Sequence, residues 1–221
     1  MSEPKDLKLN IGCGNSPTPE DWINIDSSFN AKLAKHPRLR KFLYKIGVLP
    51  EGLYALSWPS NITILDVRKG LPFMDSSVKY IHTSHFLEHL YKEDAANLLR
   101  ECYRVLQDGG VIRIIVPDLF CRVERYYQKH RQGDILLESL GMVESPNSND
   151  PFWIKWIHIM QGNKNLHKWV YDFNSLSSRL EKIGFGDVQR KEYGESLIEG
   201  VHVLDNPRRF EDSICVEAVK G

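Results

Sequence analysis

Lys8-Leu-Asn-Ile-Gly-Cys-Gly-Asn-Ser-Pro-Thr-Pro-Glu-Asp-Trp-Ile-Asn-Ile-Asp26 reads as strand, glycine turn, short link, strand and acid. Leu9 and Ile11, then Trp22, Ile23 and Ile25, are the apolar, partly β-branched positions of two short buried strands. Gly12 and Gly14 fall where the first strand must turn sharply, leaving bare backbone for a small ligand. The interval from Gly14 to Asp26 is 12 residues and holds Pro17 and Pro19, so no long helix fits. A dinucleotide fold places a helix directly behind its glycines to receive a pyrophosphate, with the ribose-binding acid about 20 residues on. The short link favours a ligand that joins an uncharged ribose to a zwitterionic amino acid.

Outward from this stretch, 221 residues at 42% hydrophobic and 26% charged suffice for one sizeable core. Lysine plus arginine equals aspartate plus glutamate at 29 each, so no global field argues for nucleic acid. Cys13, Cys102, Cys121 and Cys215 form no Cys-x-x-Cys pair, which speaks against zinc and for a reducing compartment. The N-terminal residues lack an apolar signal core, and no apolar run approaches the roughly 18 residues of a membrane span. The expectation is a cytoplasmic protein without a transmembrane segment.

Residues 30–47 carry Lys32, Lys35, Arg38, Arg40, Lys41 and Lys45 and no acid, with Leu39, Phe42, Leu43 and Ile46 at helical spacing. Pro37 suits a first turn and Gly47 an end. The main expectation is a solvated helix packed on the core; the other is a basic surface for an anionic acceptor or peripheral membrane contact. Ile62 to Leu65 read as a buried strand ending in Asp66, and Val78 to His82 as a fourth strand. A helix from Lys92 to Leu106 buries Ala95, Leu98, Leu99, Cys102 and Val105 and stops at Gly109-Gly110. Val111 to Val116 form a fifth strand; Asp118 caps a helix over 119–131. Strand and helix alternate, which argues for a parallel sheet with right-handed crossovers. Trp153, Trp156 and Met160 share a helical face suited to cap packing or to acceptor stacking. A helix from Phe173 to Ile183 follows Asp172 and ends at Gly184, and strands at 187–193 and 213–219 make an antiparallel edge pair.

Leu9-Asn-Ile-Gly-Cys-Gly14, Trp22-Ile-Asn-Ile-Asp26, Ile64-Leu-Asp-Val67, Ser84-His-Phe-Leu-Glu-His-Leu90 and Arg104-Val-Leu-Gln-Asp-Gly-Gly-Val111, in this order, resemble the class I methyltransferases that use S-adenosylmethionine (SAM). The similarity is closest to bacterial members found among polysaccharide-biosynthesis genes and covers nearly the whole chain. It implies an α/β, Rossmann-like fold, a seven-stranded mostly parallel sheet of order 3-2-1-4-5-7-6 with strand 7 antiparallel. Residues 1–221 would be a single domain, with 30–60 and 133–170 as cap or acceptor-recognition insertions. It also implies that Gly12 and Gly14 meet the methionine part of SAM and that Asp26 grips the ribose hydroxyls. Asp66 and Val67 would address adenine, and Ser84 and His85 would line the reactive side. Asn10 stands where many members carry an acid, so the SAM ammonium lacks that partner.

Methyl transfer needs alignment above all, and a hydroxyl acceptor also wants a base. His85 and His89 are the candidates, Glu88 can orient a histidine, and Asp118 and His167 are outsiders. His85 and His89 share a face if a helix has already begun; this is also a metal spacing, but no third ligand is evident and none is expected. The expected reaction is methyl transfer to an oxygen, in preference to a nitrogen, of a small molecule or saccharide. The alternatives are a non-catalytic SAM-binding regulatory or scaffold protein and a nicotinamide-dependent oxidoreductase.

Overall fold

Side chains alternate across a strand, so each strand of a two-layered domain must supply residues for two different environments. The computed structural model describes residues 6–16, 18–59, 61–142 and 166–221. In it seven strands make one sheet: β1 Leu7–Ile11, β2 Ile23–Asp26, β3 Ile62–Ile64, β4 Val78–Ser84, β5 Leu106–Pro117, β6 Phe185–Lys191 and β7 Ser213–Lys220. Their order is β3-β2-β1-β4-β5-β7-β6, with β7 antiparallel to β5 and β6 and the other pairs parallel, the Rossmann-like arrangement expected.

One face is apolar. Leu9, Ile11, Ile81, Ile112 and Ile114 pack with Leu98, Leu99 and Cys102 of one helix (Lys92–Val105) and with Leu176 and Leu180 of another (Phe173–Ile183). The second of these starts where the sequence signals it: Asp172 and Ser175 exchange capping bonds, and Gly184 ends the helix at φ +120°.

The other face is mixed. Trp22, Tyr80 and Val111 meet Ile198, Val201 and Leu204, which belong to the β6–β7 connection at 192–212. On the same face Asn24, Asn10, His82, Arg113 and Glu217 are successive register partners across β2, β1, β4, β5 and β7, and all are buried. Asn10 Nδ2 donates to Asn24 Oδ1 (3.3 Å), and His82 Nδ1 donates to Asn10 Oδ1 (3.1 Å). Arg113 reaches Asp205 from Nε (3.2 Å) and Nη2 (2.6 Å) and Glu217 from Nη1 (2.7 Å). Buried polar groups persist only when partnered, and this row supplies partners from strand to strand.

Three local expectations change. β3 is an edge strand with Ile64 exposed; among the described residues nothing pairs with its outer side. The basic stretch forms two helices, α1 Phe29–Ala34 and α2 Pro37–Lys45, because the residue before a proline leaves the helical region; His36 sits at φ −123°, ψ 71°. None of α2 is buried, so Leu39, Phe42 and Ile46 lie exposed rather than on the core. The helix after Asp118 spans Leu119–Arg125, continues as a wider turn over Tyr126–His130, and reverses at Arg131 with φ +43°. Among the described residues no helix is long and apolar enough to cross a membrane.

Candidate active site

A cavity of about 380 Å³ opens at the carboxyl ends of β1, β2 and β4, the place where open α/β sheets receive ligands. Gly12 forms its floor at φ +69°, with its N–H donated to Ile25 O (2.8 Å). A Cβ there would lie 2.3–2.5 Å from the Phe86 side chain, so only glycine lets the two segments meet. Gly14 also has positive φ (+56°), but the space beside its Cα is open, leaving bare backbone toward the cavity.

Asp26, at the end of β2, accepts the Gly14 N–H on Oδ2 (3.0 Å) and the Ser28 N–H on Oδ1 (2.7 Å). Two backbone donors hold the carboxylate, and each oxygen retains a lone pair for a ligand hydroxyl. Asp66 lines the cavity too but is clamped by Arg68 through Nε (2.8 Å) and Nη2 (2.7 Å) and by its backbone N–H. The guanidinium bonds bring the Asp66 carboxyl down to about 2. A ligand group in the cavity would therefore share Asp66 with Arg68. Val67 follows it on the cavity wall.

Ser84 is buried at the end of β4 and meets the site through its carbonyl, which accepts from Arg209 Nη1 (3.0 Å). His85, at φ +51°, turns the chain into the cavity. Its Nε2 donates to Arg209 O (2.8 Å), and because a carbonyl only accepts, the neutral ring keeps its lone pair on Nδ1, 3.4 Å from Glu88 Oε1. Leu87–His89 form a 3-10 turn, so His85 and His89 are not stacked on one helix as the spacing suggested. His89 lines the cavity and donates Nδ1–H to Leu166 O (3.3 Å).

Glu88 is 1% exposed, and neither of its carboxylate oxygens has a hydrogen-bond partner among the described residues. Its carbonyl accepts from the backbone N–H of Lys168 and Trp169 (2.8 and 3.2 Å), which ties the distant 166–171 segment against this turn. That tie delivers His167, whose Nδ1 donates to Leu140 O (2.7 Å) and whose Nε2 lies 4.0 Å from Glu88 Oε1. Burial holds the His167 ring below its ordinary pKa.

Asp118 stands apart from the cavity: it is buried, accepts the Phe120 N–H (2.9 Å) and faces Arg190 (3.6 Å). Asn10 is spent on Asn24, Thr18 and His82 and turns away from the glycine loop. Trp153, Trp156 and Met160 lie outside the described residues. Sequence reasoning missed Arg209, which lines the cavity from the 192–212 connection; the only signal was a basic pair behind Pro207. Burial lowers the Arg209 pKa.

Residues 50–114 match the family model described as a methyltransferase domain. No curated protein matches the chain. Among solved structures, a SAM-dependent methyltransferase from Methanosarcina mazei aligns at 16% identity and TM-score 0.53, over 99% of this chain and 93% of its own. A structure described as a complex between the Haloferax volcanii Trm112 methyltransferase activator and the putative methyltransferase aligns at 12% identity and TM-score 0.50, over 98% and 82%. At these identities the two are likenesses of fold. The matched stretch carries the function: over residues 50–114 the chain matches a methyltransferase domain, which makes it a methyltransferase enzyme. The cavity has the geometry of a small-molecule site that could take SAM, with open backbone at Gly14, lone pairs on an oriented Asp26 and a volume in the usual range.

Proposed function

We propose that the enzyme moves the SAM methyl group to an oxygen of a small molecule or saccharide, with His85 as the base. The observation that carries this reading is that His85, oriented by its bond to Arg209 O and with Nδ1 3.4 Å from Glu88 Oε1, opens on the same cavity as the glycine turn and Asp26. Gly12, Gly14 and Asp26 would hold the methionine and ribose parts, and Asp66 and Val67 the adenine. SAM, when bound, supplies an activated methyl group and a neutral thioether leaving group.

The chain's own task is then to align the acceptor and receive its proton. Nε2 of His85 is committed as a donor to Arg209 O, so the acceptor's hydroxyl proton goes to Nδ1. The imidazolium formed there stands 3.4 Å from the buried Glu88 carboxylate, which offsets its charge. A base so placed contributes about 10²- to 10⁴-fold. A nitrogen acceptor would need that proton acceptor less. His89 stands beside it on the cavity wall.

Acceptor choice falls to residues 30–60 and 133–170. The exposed apolar and basic α2 supports a role for the first of these in meeting an anionic acceptor or a membrane surface. Four free cysteines support work in the reducing cytoplasm. The test is incubation with methyl-labelled SAM and fractionated extract, followed by identification of the product. A labelled ether or ester that disappears with His85→Ala, while S-adenosylhomocysteine still raises the melting temperature, supports the reading. Label on carbon or sulfur, or full turnover by His85→Ala, overturns it.

A further inference from the structure

Three histidines surround Glu88, and each turns its outer nitrogen to a backbone carbonyl: His85 to Arg209 O, His89 to Leu166 O and His167 to Leu140 O. A carbonyl accepts and never donates, so each outer nitrogen carries the proton and each inner nitrogen, in the neutral ring, carries a lone pair. The inner nitrogens of His85 and His167 lie 3.4 and 4.0 Å from the same carboxylate oxygen. Lone pairs thus converge on a carboxylate that is 1% exposed and has both oxygens unpartnered among the described residues. Acceptors facing acceptors in a buried site repel unless a positive centre lies between them.

We propose that Glu88, His89 and His167 bind one divalent transition-metal ion at the acceptor end of the cavity. One ligand atom from each lies within 4.8 Å of the other two, a spread that side-chain rotation can close to the spacing of ligands sharing one ion. The outer bonds to backbone carbonyls are the arrangement by which metal-binding histidines are ordinarily oriented and fixed in tautomer. Two imidazoles and one carboxylate suit Zn²⁺, Fe²⁺, Mn²⁺ or Co²⁺ better than Mg²⁺ or Ca²⁺, which prefer oxygen. Three protein ligands leave open positions, the mark of a working site and not of a structural one. His89 borders the cavity while His167 and Glu88 lie behind it, so the open positions face the acceptor, where an ion would hold an oxygen and ease loss of its proton. His85, with Nδ1 beside Glu88, stays next to that oxygen to take the proton. The placement at the acceptor end rests on the methyl-transfer reading; binding of the ion does not.

The proposal is tested on chelator-stripped full-length protein without substrate. Mn²⁺ is titrated and the loss of the free-ion electron paramagnetic signal recorded, and Zn²⁺ stoichiometry is measured by elemental analysis after gel filtration. One ion per chain is expected, with Mg²⁺ failing to displace Mn²⁺ at tenfold excess. His167→Asn and Glu88→Gln should each weaken Mn²⁺ binding by at least about tenfold, the lower end of what even outer-shell changes cost. Circular dichroism on both variants checks folding, and His167→Asn, at a half-buried loop position, serves if Glu88→Gln does not fold. Fewer than about 0.1 ions per chain, or unchanged affinity in folded His167→Asn, overturns the proposal. The melting shift with S-adenosylhomocysteine on the same stripped protein separates the two readings. A shift without metal binding refutes the ion alone, whereas metal binding without a shift refutes the methyl-transfer reading alone.

Discussion

Replacing Arg113 by methionine keeps the aliphatic stem and removes the charge that two buried carboxylates share. Its guanidinium makes paired bonds to Asp205 and a third to Glu217, with all three side chains at 0% exposure. Glu217 keeps bonds from Ser196 Oγ and the Leu197 N–H, but among the described side chains Asp205 is then left facing His82 Nε2, 3.6 Å away and outside hydrogen-bond range. Breaking a buried ion pair by removing one partner costs about 3–5 kcal/mol. With two carboxylates affected, one of them well compensated, we expect about 4–5 kcal/mol on the same basis, a large part of the stability of an ordinary domain. Asp205→Asn leaves no carboxylate stranded and should cost less.

The pH dependence of that loss identifies its cause. Burial pushes the Asp205 carboxyl up, and the nearby His82 together with the paired bonds from Arg113 outweigh it, so its folded pKa lies below the ordinary value. A depressed carboxylate contributes stability above its unfolded pKa, near 4, and loses it as pH falls. Without Arg113 burial acts with less opposition, the folded pKa rises, and the variant regains stability as acid protonates Asp205. The gap between wild type and Arg113→Met should therefore narrow between pH 7.5 and pH 5, by up to about 1.4 kcal/mol per pH unit for one proton. Urea denaturation followed by tryptophan fluorescence at both pH values measures it. A gap under about 1 kcal/mol at pH 7.5, far below the range for a broken buried pair, or a gap equal at both pH values, would refute the reasoning.

Gly12→Ala should lose about 2–5 kcal/mol, from left-handed strain of about 1–2 and overpacking of about 1–3 against Phe86. Gly12→Ala/Phe86→Ala should recover the overpacking part alone, and a fully additive double mutant by urea denaturation would contradict the contact. Asp26→Ala should weaken S-adenosylhomocysteine binding by about 1.5–3 kcal/mol, the worth of charge-assisted hydrogen bonds; calorimetry giving wild-type affinity would move the ribose elsewhere. His82 is fully buried, and desolvation ahead of its attraction to Asp205 depresses its pKa. The unfolded chain then binds more protons below about pH 6.5, so stability is full above that pH and falls below it by up to about 1.4 kcal/mol per unit. His82→Asn should flatten this slope between pH 7 and 5.5, and an unchanged slope would place the acid sensitivity on another group.

The opening stretch was legible because its signals are local. Strand alternation at Leu9 and Ile11, the glycines and the distance to Asp26 all lie within 19 residues, and the Gly14–Asp26 bond realises that distance directly. The Phe173–Ile183 helix was legible for the same reason, through Asp172 and Gly184. The polar row was not, because Asn10, His82 and Arg113 each read in isolation as the polar member of an alternating strand. Only register brings them into one line. His167 likewise acquires its neighbours through two backbone bonds to Glu88 O formed far along the chain, and no spacing announces such a contact. α2 misled because amphipathic periodicity establishes a helix and an apolar stripe without stating what covers the stripe.

The short link between β1 and β2 has a consequence on the far side of the sheet. With no long helix there, the second face needs another cover, and the irregular 192–212 connection supplies it through Ile198, Val201 and Leu204. An irregular cover brings unpaired backbone groups that a helix would have satisfied internally. A polar sheet face answers that need: Arg113 takes Glu195 O (2.9 Å), Glu217 takes the Leu197 N–H, and Asp205 returns a carboxylate to Arg113. A few residues on, the same connection sends Arg209 to Ser84 O and offers its own carbonyl to His85 Nε2. The feature that shortened the glycine loop thus also determined which segment orients the His85 ring, and the buried ion pairs under the sheet anchor the strand of chain that fixes its tautomer.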